Sequence, residues 1–600
     1  MSATLPGLLV DLAGARPDDV ALRHKQLGVW QETTWAEYLL EVERTALGLE
    51  SLGVGPGDHV SILSDNRPEW VHADLAAQAL GARSVGVYQT NPPADVAYVL
   101  SHSRSKVLIC ENQEQTDKAV EIAAETPSVE HVVVLDPRGT AGYADPRLLT
   151  WEELVARGEA KRTEAPDAIR QRIAALDPAA PSMVVYTSGT TGPPKGALLS
   201  SRNVLSLSAE AAPLLGVGPD DTLLSYLPLC HVAEKIFTLF LPLTVGAVVH
   251  FGESIETVRE DLRAVSPTVF LGVPRIWEKM HASVTLKMRD SSWLKRSLFN
   301  LVGRLGPDIA DRRRAGTLTL RDRVVWRIAD LLILRPLQER LGLRRCRLPV
   351  SGAAPISKDL LRWFHGIGVP ISEGYGQTEC SGVSHLSAPD DIRLGSVGRA
   401  LPGTEVRLAE DGEILVRGDH VFCGYLHDEA ATRATVDEEG WLHTGDVGQV
   451  DDGHYHITGR KKEILVTSGG KNLSPEKIEN AAKTSPYIKE AVAIGDGRKH
   501  VAALIQIDGD AVGDWASRRK ITYTSYEDLA GKPEVAALVQ AEIDKANELL
   551  VRVEQIRRFR ILPKELHQDD GELTATQKVR RRQVLEIHAE LVESLYGEAA

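Results

Sequence analysis

Short apolar runs, rich in valine and isoleucine, alternate with longer amphipathic stretches through the first several hundred residues. The runs have the length of buried strands, and the stretches between them place apolar residues at helical spacing. Because parallel strands need crossover connections, usually helices, this alternation predicts parallel-rich sheets covered by helices. The clearest elements are strands at 59–64 (HVSILS), 83–88 (RSVGVY), 106–110 (KVLIC) and 130–136 (EHVVVLD), and helices at 68–80 and around 117–124.

The pattern changes from about Gly459 onward. The elements there would make a separate small α+β domain of a size that can fold alone. We therefore expect an α/β chain with a large N-terminal domain at 1–460 and a small C-terminal domain at 461–600. The C-terminal elements are helices at 475–483 and 533–551 and strands near 490–495 and 500–508.

Composition and charge narrow the class of protein. With 600 residues, 43% of them hydrophobic and 25% charged, the chain should form a soluble globular protein of several domains. The formal net charge of -14 argues against a general nucleic-acid binder, which usually presents a net basic face. Scattered cysteines without CxxC spacing indicate a reducing compartment and no structural zinc site. Because no secretory signal or membrane-spanning run is evident, we expect a cytoplasmic protein.

One segment departs from this acidic average. Between Lys287 and Arg347 there are 16 Lys/Arg and 6 Asp/Glu, interleaved with apolar residues at helical spacing. The preferred interpretation is a helical insertion at about 283–347 that packs on the main domain with a solvated basic face, because such apolar stripes are usually core. The alternative is a basic amphipathic segment that lies on an anionic membrane, at the inner face of that membrane.

The stretch MVVYTSGTTGPPKGALLS, at 183–200, combines hydroxyl residues, glycines and one lysine after a strand-like run. It is not a Walker A loop, because Lys195 follows two prolines and precedes a glycine. Converging backbone amides, hydroxyl groups and a lysine could nevertheless wrap a polyphosphate. From these residues alone, a phosphate-binding loop and a polar surface turn both remain open.

Five further stretches extend from this loop to the C-terminus: LPLCHVAEK (227–235), VFLGVPRIWEKM (269–280), ISEGYGQTECSG (371–382), GWLHTGDVGQVDDGHYHITGRKKEILVTSGGKNLSPEKIE (440–479) and GELTATQKVRRR (571–582). In this order, over nearly the whole chain, they resemble the adenylate-forming enzymes, which include acyl-CoA ligases, luciferases and the adenylation domains of peptide synthetases. The insertion before LPVSGAAPIS and the ELTATQKVRR ending are most similar to long-chain fatty-acid:CoA ligases. Small-acid ligases usually lack that insertion and end in a Ser-Gly-Lys form.

The resemblance implies a two-step reaction that uses ATP, Mg²⁺ and CoA. A fatty-acid carboxylate would attack the α-phosphate of ATP, giving an acyl-adenylate and pyrophosphate, and the CoA thiol would then displace AMP. Because two anions must meet in the first step, positioning and charge neutralisation would carry the catalysis. The N-terminal domain would bind ATP and the acyl group. The C-terminal domain would be mobile and would carry the catalytic lysine and a loop on the CoA side.

Four residues would act on the reacting groups, as the resemblance implies. Lys578 would bridge the attacking carboxylate and the α-phosphate, although KVRRR without the resemblance would be a solvated basic run. Thr378 would donate to that phosphate, and Glu379 would hold Mg²⁺, which suits one carboxylate and phosphate oxygens. His231 would lie near the acyl carboxylate. The β- and γ-phosphates would be held by Thr187, Ser188, Gly189, Thr190, Thr191, Gly192 and Lys195.

The same resemblance assigns residues to adenosine and CoA. Tyr375 would offer a flat face to adenine, and Asp446, helped by Arg460, would accept hydrogen bonds from the ribose hydroxyls. The C-terminal domain would rotate about Lys462 between the two steps. Small residues would admit the ligands close to the backbone: Gly352, Ala353 and Ala354 for a ring or acyl chain, and Gly469 and Gly470 for pantetheine.

The acyl pocket shows one departure from related enzymes. Some bacterial long-chain ligases carry a tryptophan gate four residues after the histidine, but this position is Lys235 here. We therefore do not expect that gate, and we expect the acyl chain near Phe237, Phe240 and Phe270.

A long-chain fatty-acid:CoA ligase is the preferred interpretation, with fatty acid, ATP and CoA as partners and no nucleic acid. Three alternatives remain: a fatty-acyl-AMP ligase that loads a carrier protein, an aryl- or bile-acid:CoA ligase, and a non-catalytic membrane sensor of acyl groups or nucleotides. The joint presence of Lys195, Glu379 and Lys578 argues against the sensor, since pure binding would not need all three.

Overall fold

A computed structural model describes residues 2–187, 193–254, 257–568, 570–574 and 578–597. In this part of the chain the strands are β1 (Val20–Gln26), β2 (Val29–Thr34), β3 (His59–Leu63), β4 (Arg83–Val87), β5 (Val107–Cys110), β6 (His131–Val134), β7 (Leu148–Thr150), β8 (Pro181–Thr187), β9 (Lys195–Ser200), β10 (Thr222–Ser225), β11 (Val248–Phe251), β12 (Val269–Gly272), β13 (Leu348–Ser351), β14 (Ser372–Tyr375), β15 (His385–Leu386), β16 (Arg399–Ala400), β17 (Glu405–Leu408), β18 (Glu413–Arg417), β19 (Gly424–Tyr425), β20 (Leu442–Asp451), β21 (His454–Arg460), β22 (Leu465–Val466), β23 (Asn472–Leu473), β24 (Ile488–Ile494), β25 (Val501–Ile507) and β26 (Ile556–Ile561).

The α-helices of the same residues are α1 (Leu5–Ala15), α2 (Trp35–Ser51), α3 (Pro68–Ala79), α4 (Pro93–Ser103), α5 (Gln113–Glu121), α6 (Trp151–Glu164), α7 (Ala168–Ala174), α8 (Ser201–Leu215), α9 (Val232–Lys235), α10 (Leu241–Val245), α11 (Val258–Val265), α12 (Pro274–Arg289), α13 (Trp293–Arg314), α14 (Leu320–Ala329), α15 (Arg335–Leu341), α16 (Lys358–Gly366), α17 (Glu429–Thr435), α18 (Pro475–Ala482), α19 (Gly509–Arg518), α20 (Tyr526–Ala530), α21 (Pro533–Glu548), α22 (Arg581–Ile587) and α23 (Ala589–Ser594). Two π-helical turns (Ile236–Phe240 and Asp330–Leu334) and one 3₁₀ turn (Thr378–Cys380) complete the helices.

The alternating pattern of the first residues builds the largest sheet, with strand order β19-β9-β8-β4-β3-β5-β6-β7. From β8 to β7 all neighbours are parallel, which confirms the predicted parallel-rich sheet. Strands β3 and β5 are buried throughout, as expected for strands covered by helices on both faces. The helix predicted around 117–124 begins earlier, at Gln113, because Asn112 caps it by accepting from the Gln115 amide at 3.2 Å.

Further sheets of the N-terminal part bring strand ends together. Strands β12, β13 and β14 run parallel, and the chain leaves their carboxyl ends at Gly272, Ser351 and Tyr375. An antiparallel sheet, β17-β18-β20-β21, carries Asp446 opposite Arg460 on adjacent strands. Ligands of open α/β sheets bind outside the carboxyl ends of their strands, so these ends mark the site.

The C-terminal part has its own sheet and core. Strands β24, β25 and β26 form a three-stranded sheet that packs against α18 and α21. Its buried core includes Ile478, Ile505, Val512 and Val539. The helix and strand predictions for this part are confirmed, with α21 ending at Glu548 instead of 551. The division of the chain at 460 and 461 stays a prediction.

Helix α12 joins the two parts of the molecule. Leu286 near its end packs against the C-terminal core. The Arg289 guanidinium donates to the Tyr487 hydroxyl at 2.7 Å, and the following residue, Asp290, forms an ion pair with Arg518. These contacts of α12 are mostly polar.

The basic insertion is helical, as predicted, and comprises the end of α12, then α13, α14, a π-helical turn and α15. One face packs on the main domain through Val302, Ile309, Leu334 and Leu337. The interpretation of the whole apolar stripe as core is wrong for the other face, where Trp293 and several leucines are exposed. No helix of the described residues is both long and apolar enough to cross a bilayer.

A buried ion pair lies under the sheet. The Lys235 ammonium contacts the Asp74 carboxylate at 2.8 Å, both side chains are almost fully buried, and the ammonium also lies over the Trp70 ring at 4.5 Å. Lys235 thus points into the core and away from any ligand. A side chain fixed in this way does not suit a gate, and the absence of the tryptophan gate stays a prediction.

Removal of one member of this pair should destabilise the fold. In Asp74→Ala the Lys235 charge would stay buried without a partner, which should cost about 3–5 kcal/mol of unfolding free energy. Glu429→Ala, which breaks the exposed Glu429–Arg433 pair, is the control and should cost less than about 1 kcal/mol. Denaturant unfolding monitored by tryptophan fluorescence measures both; equal small changes would show that the buried pair does not hold the core.

Candidate active site

A cavity of about 2640 Å³ opens between the N-terminal and C-terminal parts of the chain. The residues that line it come from distant segments and include most of those assigned from the sequence. Gly469 and Gly470 do not line it; they lie in an exposed loop of the C-terminal part. The predicted site residues on its wall are Thr187, Lys195, His231, Gly352, Ala353, Ala354, Tyr375, Thr378, Glu379, Asp446, Arg460, Lys462 and Lys578.

The proposed phosphate side is built on the hairpin of β8 and β9. Thr187 ends β8 and pairs with Lys195, which begins β9, and the Thr187 hydroxyl donates to the Lys195 carbonyl at 3.3 Å. The hairpin thus sets the Lys195 side chain at the wall of the cavity. The assigned loop residues Ser188, Gly189, Thr190, Thr191 and Gly192 lie outside the described residues.

Tyr425 is a member of the site that the sequence analysis missed. Its hydroxyl donates to Glu379 Oε1 at 2.6 Å, and the Lys195 ammonium lies 4.9 Å from the centre of its ring. Strand β19 delivers this side chain by pairing Tyr425 with Ala197 of β9. The sequence offers one signal for this residue, the aromatic position in GYLHDEAAT. Only the pairing of this segment with β9 shows that the residue reaches the cavity.

Glu379 suits the Mg²⁺ that the resemblance implies. It lies in the 3₁₀ turn after β14, nearly buried, and its carboxylate faces the cavity with one oxygen held by Tyr425. In the described residues no cluster of three metal-ligating side chains exists. A single hard carboxylate is nevertheless appropriate for Mg²⁺, which usually completes its shell with water and phosphate oxygens.

The proposed adenosine side centres on Asp446. The Tyr375 hydroxyl donates to Asp446 Oδ2 at 2.7 Å, and Arg460 Nε donates to Oδ1 at 3.0 Å. Each carboxylate oxygen keeps a further lone pair, so the two oxygens could accept hydrogen bonds from a pair of vicinal hydroxyls. Burial, followed by the charge of Asp446, raises the pKa of Tyr375 well above its ordinary value, so the phenol stays a donor.

The small residues after β13 leave space beside β14. Ala353 has φ +66°, a left-handed backbone conformation that residues other than glycine rarely adopt. Such a conformation often marks a functional turn. Gly352 has no side chain between its backbone and the Gly374 carbonyl. These residues line the cavity next to Tyr375, where their small size keeps the space open.

His231 is held as a neutral imidazole at the start of α9. Its Nδ1 accepts from the Ala233 amide at 3.1 Å, which leaves the proton on Nε2. Burial, with a smaller contribution from the positive charge of Lys578, lowers the pKa of His231 to about 4. His231 can therefore donate a hydrogen bond to a carboxylate at neutral pH without carrying charge.

The loop before His231 is fastened by a buried carboxyl group. Glu234 accepts from the Thr238 hydroxyl at 2.6 Å and from the backbone amides of Tyr226 and Leu227 at 3.2 and 3.3 Å. Burial raises the pKa of Glu234 to about 7. These bonds hold the 226–230 loop in place between β10 and α9.

Lys578 faces the same cavity from the C-terminal part. Its amide donates to the Thr574 hydroxyl at 3.0 Å, and its side chain points into open cleft space. Protein surrounds the cleft, and this desolvation, with Arg460 nearby, lowers the pKa of Lys578, while Glu476, Asp446 and Glu463 oppose the change.

The segment after Lys578 is anchored firmly. Arg581 donates from one guanidinium nitrogen to Glu479 at 2.6 Å and to the Ala493 carbonyl at 2.8 Å. Arg580 and Arg581 line the cavity as well, but the Arg581 guanidinium is held by Glu479 and the Ala493 carbonyl.

The apolar end of the cavity contains the three phenylalanines expected for an acyl chain. Phe237, Phe240 and Phe270 all line it, and the Phe270 ring stacks on Tyr226 with ring centres 5.5 Å apart. Further apolar walls come from α8 and α12, including Leu207 and Ile276. The cavity therefore joins a charged end to an apolar end.

Comparison with known proteins agrees with this arrangement. Residues 10–426 match the family model of AMP-binding enzymes, and residues 462–600 match that of the AMP-binding enzyme C-terminal domain. The chain is 37% identical to the long-chain-fatty-acid–CoA ligase FadD15 of Mycobacterium bovis, over 97% of this chain and 95% of that protein. It is 31% identical to the long-chain-fatty-acid–CoA ligase ACSBG2 of Xenopus laevis, over 99% of this chain and 84% of that protein.

A solved structure shares the fold. The adenylation domain of a carboxylate reductase from Mycobacterium chelonae has a TM-score of 0.74 at 22% identity, covering 99% of this chain and 91% of that one. Fold and cleft together define an α/β enzyme with a nucleotide site closed by a smaller C-terminal part. The chain belongs to the AMP-binding enzyme family.

Loss of the Tyr425 hydroxyl should weaken the Glu379 site. In Tyr425→Phe the carboxylate loses a charge-assisted hydrogen bond of about 1.5–3 kcal/mol, so ATP–pyrophosphate exchange should fall about tenfold or more and need more Mg²⁺. Tyr143→Phe, which removes a hydroxyl bound to Asp117 outside the cavity, is the matched control. An unchanged Mg²⁺ dependence in Tyr425→Phe would contradict the assignment.

Proposed function

We propose that the protein is an ATP-dependent, AMP-forming fatty-acid:CoA ligase that acts on long-chain acids. The observation that carries the proposal is that Lys578, Asp446 and Arg460 meet at the charged end of a cavity whose other end is apolar. Two relatives that match almost the whole chain are named long-chain-fatty-acid–CoA ligases. Charged and apolar ends in one cavity suit a fatty acid whose carboxylate must meet ATP.

In the first step, an oxygen of the fatty-acid carboxylate attacks the α-phosphorus of ATP. The bond from that phosphorus to the bridging oxygen breaks, and pyrophosphate leaves. Lys578 lies between the two anions and lowers their repulsion, while the Nε2 proton of neutral His231 orients the carboxylate. Asp446 holds the ribose, with Arg460 and Tyr375 keeping its carboxylate in place. Lys195, with the hydroxyls of the loop, holds the β- and γ-phosphates.

Glu379 would hold Mg²⁺ together with phosphate oxygens, and the ion would supply charge neutralisation at the phosphates. Tyr425 keeps the Glu379 carboxylate in position for that role. Thr378, in the same 3₁₀ turn, faces the α-phosphate.

In the second step, the sulfur of CoA attacks the acyl carbonyl carbon. The bond from that carbon to the phosphate oxygen breaks, AMP leaves, the thiol proton passes to solvent, and the acyl group stays on sulfur. Lys578 occupies the cleft in the present arrangement, so the C-terminal domain must turn about Lys462 to admit the thiol. Gly469 and Gly470, exposed here, would then line the approach of pantetheine.

The two alternative enzymatic functions differ from this one in the acyl acceptor or in the acid that is activated. A fatty-acyl-AMP ligase would stop at the adenylate unless a carrier protein were present. An aryl- or bile-acid:CoA ligase would use a ring in place of an acyl chain. The apolar lining, which includes Phe237, Phe240, Phe270 and Ile276, suits a fatty-acyl chain, as do the names of the relatives that match almost the whole chain.

Contact with a membrane would help the fatty acid to reach the enzyme. Long-chain fatty acids partition into bilayers, so a ligase that binds peripherally to an anionic membrane would meet its substrate there. The surface for that contact lies outside the cavity.

The role of Lys578 separates the two steps. Lys578→Ala should lower fatty-acid-dependent ATP–pyrophosphate exchange about 10²–10³-fold, because a preorganised charge is lost from the transition state. Transfer from added acyl-adenylate to CoA should change far less. Lys545→Ala, which removes an exposed lysine of the same domain, should leave both rates unchanged. Equal losses in both steps for Lys578→Ala would move the catalytic role to another residue.

A further inference from the structure

The helical insertion presents an apolar surface to solvent. Helix α14 and the π-helical turn after it expose a stripe of five residues, each more than half accessible, from 52% for Val324 to 81% for Leu320. Their spacing of three or four residues puts them on one side of the helix, turn after turn. We call this set the outer stripe: Leu320, Val324, Ile328, Leu331 and Leu332.

The neighbouring helix α13 is apolar on two sides. Its inner side packs on α16, where Gly306 lies against the backbone of Gly366 with no room for a side chain. Its outer side exposes Trp293, Leu294 and Leu301. The inner contact holds the helix, so the outer residues are not needed for packing.

The acidic residues of these helices are neutralised within the structure. Asp322 is paired with Arg312 at 2.8 Å, and Asp330 with Arg335 at 2.8 Å. Asp308 and Asp311 are both paired with Arg362. Six further cations of α13 and α14 form no ion pair with a carboxylate among the described residues: Lys295, Arg296, Arg304, Arg321, Arg323 and Arg327.

These cations border the outer stripe. Arg321, Arg323 and Arg327 are exposed and adjoin Leu320, Val324 and Ile328 in sequence. Arg313, in contrast, lies over the Trp326 ring at 4.6 Å and braces the two helices. The surface is therefore apolar at its centre and cationic at its edges, in a protein whose net charge is -14.

We propose that this surface docks on an anionic lipid bilayer, with the outer stripe in the interface and the arginines at the headgroups. Charge complementarity selects this occupant. A nucleic acid would use the cations but leave the apolar stripe exposed to water, and a second copy would bring two cationic edges together. The benefit of docking, access to membrane-dissolved acyl chains, rests on the proposed function, but the binding itself does not.

Co-sedimentation with lipid vesicles tests the docking. The purified full chain should bind vesicles that contain phosphatidylglycerol, and less so at about 0.5 M than at about 0.05 M salt, because salt screens the attraction. Vesicles of phosphatidylcholine alone should bind it weakly.

Two pairs of variants locate the surface. Arg323→Gln with Arg327→Gln should reduce partitioning about 25-fold, since each basic residue contributes about fivefold. Leu320→Ser with Ile328→Ser should reduce it at least about tenfold. The matched controls make the same changes at exposed positions elsewhere and should bind like the parent: Arg552→Gln with Arg557→Gln, and Leu27→Ser with Val29→Ser.

Other outcomes would overturn the proposal. These are no binding to anionic vesicles, equal binding to neutral ones, or equal losses in the control variants. Self-association in sedimentation velocity that the Leu320/Ile328 variant abolishes would make a second copy the occupant. ATP–pyrophosphate exchange with a short, soluble fatty acid and no vesicles should be equal in all variants, so failure of docking is distinguishable from failure of the proposed reaction.

Discussion

Two negatively charged groups, a carboxylate and a polyphosphate, must come within bonding distance, and the cleft is arranged around their repulsion. Cationic side chains from three distant parts of the chain line the cleft, and different contacts hold each of these parts in place. The β8–β9 hairpin sets Lys195, Asp446 orients Arg460, and Arg581, the first residue of helix α22, anchors the chain three residues after Lys578. The Lys195, Arg460 and Lys578 side chains are all exposed in the open cleft, so their charges act most strongly once bound ligands displace water from it.

The same constraint accounts for the polar contacts that α12 makes with the C-terminal part. In the proposed reaction, Lys578 enters the cleft for the first step and leaves it for the second. The contacts of α12 with the C-terminal part include the exposed Asp290–Arg518 pair and one hydrogen bond from Arg289 to Tyr487. Exposed pairs of this kind contribute about 0–1 kcal/mol, so they can orient the small domain without locking it. The firm contacts, such as Arg581 with Glu479, lie within the C-terminal part.

Much of this arrangement could be predicted from the sequence, because local patterns determine local structure. Buried strands such as β3 and β5 are predicted by continuous apolar runs in the sequence. Most of the cleft residues lie in motifs that the family resemblance identifies. Contacts between distant segments leave no local signal: Tyr425 meets Glu379 across 46 positions, and Lys235 meets Asp74 across 161. Helical periodicity likewise identified an apolar stripe in the insertion but not which side packs, since Val302 and Leu301 are neighbours with opposite burial. The burial of each depends on α16, far along the chain.

The central claim is that this cleft joins fatty acids to CoA through an adenylate. A coupled assay that follows AMP and acyl-CoA, with purified protein, ATP, Mg²⁺, CoA and fatty acids of graded length, tests it most directly. The account predicts equal amounts of AMP and acyl-CoA, with the highest kcat/KM at long chains. Acyl-adenylate without thioester would instead indicate a carrier-protein acceptor, and activity with aryl or steroid acids alone would contradict the assignment of the apolar end to a fatty-acyl chain.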